Sequence, residues 1–198
     1  MNRFIIEDNP IDCAKSLCDS HVIKMVLEEG QMLSTVHRLV DGYQYTSKTK
    51  TGRNKKAWKI MDGIAAYQRD NTLYKACHYN HPCTMWSRET RGNYEWSFKL
   101  FGAIAKEYTH RYQKTHNTYR ALAKYLYWPP ANIDQSMEVT PFPLAMGAAS
   151  WCINQEEPIQ SYRDFYHTKQ YRFNMVWSNR ETPSWWEGEN WHGSKWYR

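Results

Sequence analysis

The chain has 198 residues, in which 26 Lys and Arg outnumber 20 Asp and Glu and give a formal net charge of +6. This length suits one domain, and the positive charge favours a polyanionic partner. No stretch approaches the ~20 apolar residues of a membrane span, and the start of the chain lacks the apolar run of a signal peptide. We therefore expect a cytoplasmic protein with no membrane partner.

The first predicted element is a long helix that extends from Pro10 to Val40. Asp8 or Asn9 can cap its start, where Pro10 fits the first turn. Because this helix is unusually long for a globular domain, we expect a kink near Gly30.

A loop rich in Thr, Lys and Gly follows, and the pattern predicts a second helix that begins near Asn54. The spacing of apolar residues predicts further helices over 82–112, 117–127, 157–166 and 171–179. We expect residues 128–150, with four prolines, to form an ordered loop, and the tail after Pro183 is rich in Trp. The predicted fold is all-α, a compact single-domain helical bundle over residues 1–198. Its features are the long N-terminal helix, the Pro-rich ordered loop and the aromatic C-terminal tail.

Polar side chains align along one side of the first helix. At about 100° per residue, four of them fall on one stripe: His21, Lys24, Glu28 and Gln31. One turn separates Lys24 from Glu28, so this amine and this carboxylate can touch. If the stripe faces a partly buried cleft, His21, Lys24 and Glu28 are candidates for acid–base or amine catalysis. Gln31 is then a candidate for substrate binding. The alternative is a solvated helix face with ordinary ion pairs.

A run of cations without an intervening acid follows the first helix, and its spacing suits contacts with one nucleic-acid backbone. We assign DNA binding to five of its members: Lys48, Lys50, Arg53, Lys55 and Lys56. In the tail, a cation and two indoles can contact phosphate and stack on bases: Arg180, Trp185 and Trp186. The alternatives are a solvated flexible loop for the run and a staple between tail and core for the indoles.

Polar residues on the helix predicted from Pro82 can reach the stripe from a neighbouring position in the fold. The candidates for substrate binding are Arg88, Asn93, Tyr94 and Arg111. The alternative for each is a surface polar group on an amphipathic helix.

Two thiols and two imidazoles lie close together in the sequence at Cys77, His78, His81 and Cys83. Their spacing matches no common zinc pattern. We therefore expect packed cysteines and a rigid helix start at His81-Pro82, with no metal and no cofactor.

The motif Asp19-Ser20-His21, with Glu28 seven residues after the histidine, resembles the first helix of the phage pyrimidine-dimer DNA glycosylases of the endonuclease V family. A looser likeness, to tailed-phage proteins that carry this name by inference, covers most of the chain. Its pieces are Asn9-Pro10, Cys18 to Leu33, His81-Pro82-Cys83 with Trp86 and Arg88, Asn93-Tyr94, Glu107-Tyr108-Thr109 with Arg111-Tyr112, Ser161-Tyr162-Arg163 and Arg180 to Trp186. The resemblance implies a compact, mostly helical single domain that acts on DNA, in the host cytoplasm if the protein is phage-encoded.

The resemblance also implies a mechanism. In that family a Glu at the position of Glu28 works beside the free N-terminal amine of a small residue, and the amine traps the sugar of a flipped nucleotide as a Schiff base. Residue 2 here is Asn, which normally prevents removal of the initiator, so the free amine is expected on Met1. Lys24 is the alternative nucleophile.

Three functions follow as hypotheses. The leading one is a DNA N-glycosylase, with or without AP-lyase activity, that acts on a pyrimidine extruded from double-stranded DNA. The second is a transferase that hypermodifies a thymine-derived base in phage DNA. The third is a non-catalytic nucleic-acid-binding protein, whose DNA binding would survive Glu28→Gln.

Overall fold

The computed structural model describes residues 2–61 and 63–193, without the side chains of residues 63–66 and 148. In place of the predicted single N-terminal helix there are two, α1 (Pro10–Ser16) and α2 (Asp19–Val40). Asn9 caps α1 as predicted, because its side chain accepts a hydrogen bond from the N–H of Ile11.

The break between α1 and α2 results from burial. Leu17 and Cys18 are buried with extended backbones, and the N–H of Cys18 donates to the hydroxyl oxygen of Tyr166. These tertiary contacts replace the helical hydrogen bonds that a continuous helix would have made. Further along, α2 passes Gly30 as a continuous helix, and the missing side chain lets Thr118 approach closely.

A β-hairpin follows α2, where the sequence predicted a loop and the start of a helix near Asn54. Its strands are β1 (Tyr43–Lys48) and β2 (Asn54–Lys59), paired antiparallel. Around Trp58 the burial alternates as in a strand, with Trp58 and Ile60 buried and Lys59 exposed. The prediction of a purely all-α fold is therefore wrong: the chain is mostly helical and carries a small two-stranded sheet.

The remaining helices are α3 (Gly63–Thr72), α4 (Pro82–Ser87), α5 (Arg91–Tyr112), α6 (Asn117–Leu126) and α7 (Pro158–His167). Short 3₁₀ turns cover Gly147–Cys152, Thr168–Tyr171 and Gly188–Asn190. The predicted helices at 117–127 and 157–166 are confirmed by α6 and α7. The prediction of one helix over 82–112 is wrong, because Thr90 starts a new helix by accepting a hydrogen bond from the N–H of Asn93. The predicted helix over 171–179 is also absent.

The core lies between α2 and α5, with α1 and α6 packed beside them. Val26 and Leu33 of α2 and Phe101 and Ile104 of α5 are buried in it, and such apolar burial is the main stabilising contribution to folding. The predicted ordered loop crosses this body, where the N–H of Thr140 donates to Oδ1 of Asn93, a buried residue of α5. Among the described residues, no helix combines the length and apolar character needed to cross a membrane.

Candidate active site

The N-terminal segment lies along α2 and is fixed there by buried contacts. Arg3 forms two hydrogen bonds with Glu29, and its guanidinium lies over the rings of Trp86 and Trp96. The thiol of Cys13 donates to the main-chain oxygen of Phe4. This anchoring places Asn2, the residue before Arg3, against the polar stripe of α2.

Glu28 is the centre of that stripe. It is only 6% exposed, and its Oε2 accepts a 2.7 Å hydrogen bond from the main-chain N–H of Asn2. Nζ of Lys24 lies 3.1 Å from Oε1, so the predicted contact between amine and carboxylate is present. The Lys24 side chain is 61% exposed, so the pair reaches from a shielded acid to solvent. The amine expected on Met1 lies outside the described residues.

His21 lies at the buried end of the stripe. Its Nδ1 is 2.7 Å from the hydroxyl of Tyr166, and its ring packs 4.5 Å from that of Phe4. Burial, followed by the charges of Lys24 and Lys169, lowers the pKa of His21 to about 3. The imidazole is therefore neutral at physiological pH. Gln31, at the other end, is half-buried.

His81, which precedes α4, lies close enough to the stripe for the charge of Glu28 to act on its ring. The sequence suggested it as a zinc ligand or a helix start, and not as a member of this site. Its Nδ1 accepts a hydrogen bond from the N–H of Cys83, so the neutral ring carries its proton on Nε2. Burial lowers the pKa of His81, and the charge of Glu28 opposes this shift. A histidine far away in sequence is thus brought into the field of the carboxylate, which no local pattern could reveal.

Lys169 is a second residue that sequence reasoning missed. It lies in the 3₁₀ turn after α7, is 9% exposed, and its amine lies over the ring of Phe165. Its charge and that of Lys24 both act on His21. In the sequence it is an ordinary lysine, because nothing local signals its burial.

The residues predicted to bind substrate from α4 and α5 make hydrogen bonds within the fold. Arg88 donates to the main-chain oxygen of Tyr79, and Tyr94 donates to that of Leu126. Asn93 is fully buried and exchanges hydrogen bonds with the Pro-rich loop. These contacts hold neighbouring segments of the fold in place.

Arg111 and Arg180 share one buried carboxylate. Arg111 pairs with both Asp19 and Glu107, and Arg180 makes two 2.9 Å hydrogen bonds to Glu107. Burial alone would raise the pKa of Glu107, but the hydrogen bonds from Arg180 and Arg111 outweigh it and lower the pKa. This network joins the tail to α2 and α5.

The tail tryptophans pack against the body of the protein. Nε1 of Trp185 donates to Glu7, and Trp186 stacks on His167 with centroids 4.4 Å apart. Both indoles are half-buried. The staple between tail and core, which was the alternative for these indoles, is therefore present.

The five cations assigned to DNA binding, Lys48, Lys50, Arg53, Lys55 and Lys56, are all exposed on the hairpin. The register pairs Tyr43 with Lys59 and Ser47 with Lys55, so Tyr43, Lys55 and Lys59 share one face. Tyr45 lies on the same face, and Tyr43 and Tyr45 are 46% and 41% exposed. The hairpin thus presents cations and open aromatic rings together.

No group of three or more His, Cys, Asp or Glu side chains in the described part of the chain could hold a metal ion. Cys83 is buried beside Tyr162, as expected of a packed cysteine. A groove of about 490 Å³ lies between α1, α5 and α6, and its rim includes Lys15, Lys99 and Lys106. Glu28 is not among its lining residues.

Comparison with models of protein families, with curated proteins and with solved structures found no match to this chain.

Proposed function

We propose that this chain is a DNA N-glycosylase that cleaves the bond between the sugar and an extruded pyrimidine, with Glu28 as the catalytic carboxylate. One observation carries the proposal: Glu28 is shielded from solvent yet fixed by the N–H of Asn2 and by Nζ of Lys24. Charge-assisted contacts of this kind hold a carboxylate in a fixed position. A solvated helix face would not require such an arrangement.

The chemistry suits a fixed anion. As the glycosidic bond breaks, positive charge develops on the sugar, and a carboxylate in a water-poor site stabilises that charge strongly. His81 can donate a hydrogen bond from its Nε2–H to the departing base, because its Nδ1 already accepts from the N–H of Cys83. The nucleotide has to be extruded from the duplex before Glu28 can reach the sugar or His81 can reach the base.

The hairpin supplies the DNA contacts in this proposal. Its exposed cations can replace counterions along the phosphate backbone, which gives affinity without sequence preference. Tyr43 and Tyr45 offer faces for stacking on unpaired bases at the distorted position.

The test uses duplex DNA irradiated with ultraviolet light, and mass spectrometry of the bases and nucleosides produced. We expect the wild type to leave abasic sites, and Glu28→Gln to lower the rate at least ~100-fold. Gln keeps the oxygen that accepts from Asn2, so the fold should persist. Glu95→Gln, which alters a half-exposed carboxylate paired with Arg91, is the matched control and should retain full activity.

The other two functions give different results in this assay. New nucleosides from DNA that carries modified thymine would indicate the transferase. Salt-sensitive binding that is equal in the wild type and Glu28→Gln, with no change in the bases, would indicate a binding protein. Either result would refute the glycosylase.

A further inference from the structure

Lys169 is a buried lysine that has no acidic partner in the described part of the chain. It is 9% exposed, and its amine forms no ion pair with a carboxylate of the described residues. Buried lysines normally pair with an acid, because an isolated ammonium is costly to remove from water. An unpaired amine at this depth is therefore a candidate for chemistry.

Two aromatic rings surround this amine. Nζ of Lys169 lies 3.4 Å from the centroid of the Phe165 ring and 5.7 Å from that of Phe4. Such rings attract an ammonium but cannot accept its proton. Burial, followed by the charge of Arg172, lowers the pKa of Lys169 to about 8, opposed by Cys152. A substantial fraction of the amine is thus neutral near physiological pH.

Phe4 links the Lys169 amine to the polar stripe of α2, because its ring lies 5.7 Å from Nζ of Lys169 and 4.5 Å from the ring of His21. Lys24, which is ion-paired with Glu28, acts electrostatically on Lys169 as well. Phe4 contacts the Lys169 amine, and Asn2, two residues earlier, donates to Glu28. The N-terminal segment therefore connects the carboxylate with the amine.

Lys24 is less suited to attack a sugar. Its side chain is 61% exposed, and its Nζ is engaged by Oε1 of Glu28 at 3.1 Å. We propose that Lys169 is the amine that attacks C1′ of the extruded nucleotide and forms the covalent intermediate. The proposal rests on the glycosylase function above and names its nucleophile.

The step is a nucleophilic displacement followed by ring opening. The lone pair of Nζ forms a bond to C1′, while the bond to the base breaks and its electron pair leaves with the base, which takes a proton from solvent. The C1′–O4′ bond then opens as the second N–C1′ bond forms, and one amine proton passes to O4′. The resulting iminium is a Schiff base that hydride can reduce. Glu28 is available to accept a proton from C2′ if elimination follows.

The experiment traps this iminium with sodium borohydride on ultraviolet-irradiated duplex DNA and maps the adduct by peptide mass spectrometry. We expect the wild type to carry the sugar on the peptide that contains Lys169. Lys169→Arg, which keeps the charge but cannot form a Schiff base, should lose the adduct. Lys114→Arg, at an exposed lysine outside the site, is the matched comparison and should still yield an adduct at Lys169.

Mapping uses the wild-type protein, so the result does not depend on how well a variant folds. An adduct on Lys24 or on the N-terminal amine would overturn the role of Lys169 and leave the glycosylase standing. Base release with no adduct would do the same. If the wild type neither releases base nor forms an adduct, both proposals fail.

Discussion

Arg3 and Glu29 form a bidentate ion pair in the protein interior, with Nε 2.8 Å from Oε1 and Nη2 2.6 Å from Oε2. Both side chains are almost completely shielded from solvent. The pair fixes the N-terminal segment on α2, and Asn2 thereby meets Glu28. The geometry of the candidate site therefore depends on a contact that is itself distant from solvent.

Arg3→Met should lower the free energy of unfolding by ~3–5 kcal/mol, because it leaves the carboxylate of Glu29 buried without a partner. Arg91→Met breaks a more exposed pair with Glu95 and should cost less than ~1 kcal/mol. Urea unfolding monitored by circular dichroism measures both. Equal, small losses for the two variants would contradict the structural importance of the buried pair.

The hairpin cations should determine how DNA binding responds to salt. Lys55→Gln and Lys56→Gln should each reduce the slope of log affinity against log salt concentration by about 1, because each removes one phosphate contact. Fluorescence anisotropy with a labelled duplex measures the slope. Lys114→Gln, an exposed cation outside the hairpin, is the control. If the wild type and the three variants have the same slope, the hairpin is not part of the DNA interface.

Acid should destabilise the protein through its buried histidines. Burial, followed by the charge of Arg69, lowers the pKa of His37 to about 3, below the unfolded value of about 6.5. The unfolded chain therefore binds more protons between these values, and the free energy of unfolding falls as pH drops through this window. Each such histidine contributes ~1.4 kcal/mol per pH unit.

His37→Gln should reduce this pH slope by the contribution of one histidine. Tyr94→Phe is the matched control, since it removes the hydrogen bond to Nε2 of His37 but no group that titrates in this range. It should lower stability at every pH and keep the slope. Urea unfolding at pH 7, 6 and 5 separates the two effects, and equal slopes for the wild type and His37→Gln would refute this linkage.

Two glycines of α5 should respond in opposite directions to alanine. A methyl group at Gly92 would collide with the main-chain oxygens of Met137 and Glu138, so Gly92→Ala should cost ~1–3 kcal/mol. At Gly102 the nearest atom is the Tyr119 hydroxyl at 3.8 Å, so Gly102→Ala should add up to ~1 kcal/mol through helix propensity. Thermal unfolding of both variants checks the sign of each change.

Periodicity could predict what lies on one helix, and little of what other elements bring to it. The contact between Lys24 and Glu28 follows from one helical turn and is present. The hairpin was hidden because Lys- and Thr-rich residues give weak strand alternation, and its pairing partner decides its structure. His81 and Lys169 reach the site only through tertiary packing, so no window of sequence around them carries the signal.

Neighbouring positions on a helix point about 100° apart, and α2 uses this at Glu28 and Glu29 to send one carboxylate to the site and the next into the interior. Reduced activity after a substitution at Glu29 would consequently indicate a displaced main chain, and not the loss of a catalytic group. Activity assays of variants at Glu28 and Glu29 therefore need a thermal unfolding curve beside them. A change at either side chain can displace the main chain that positions the other.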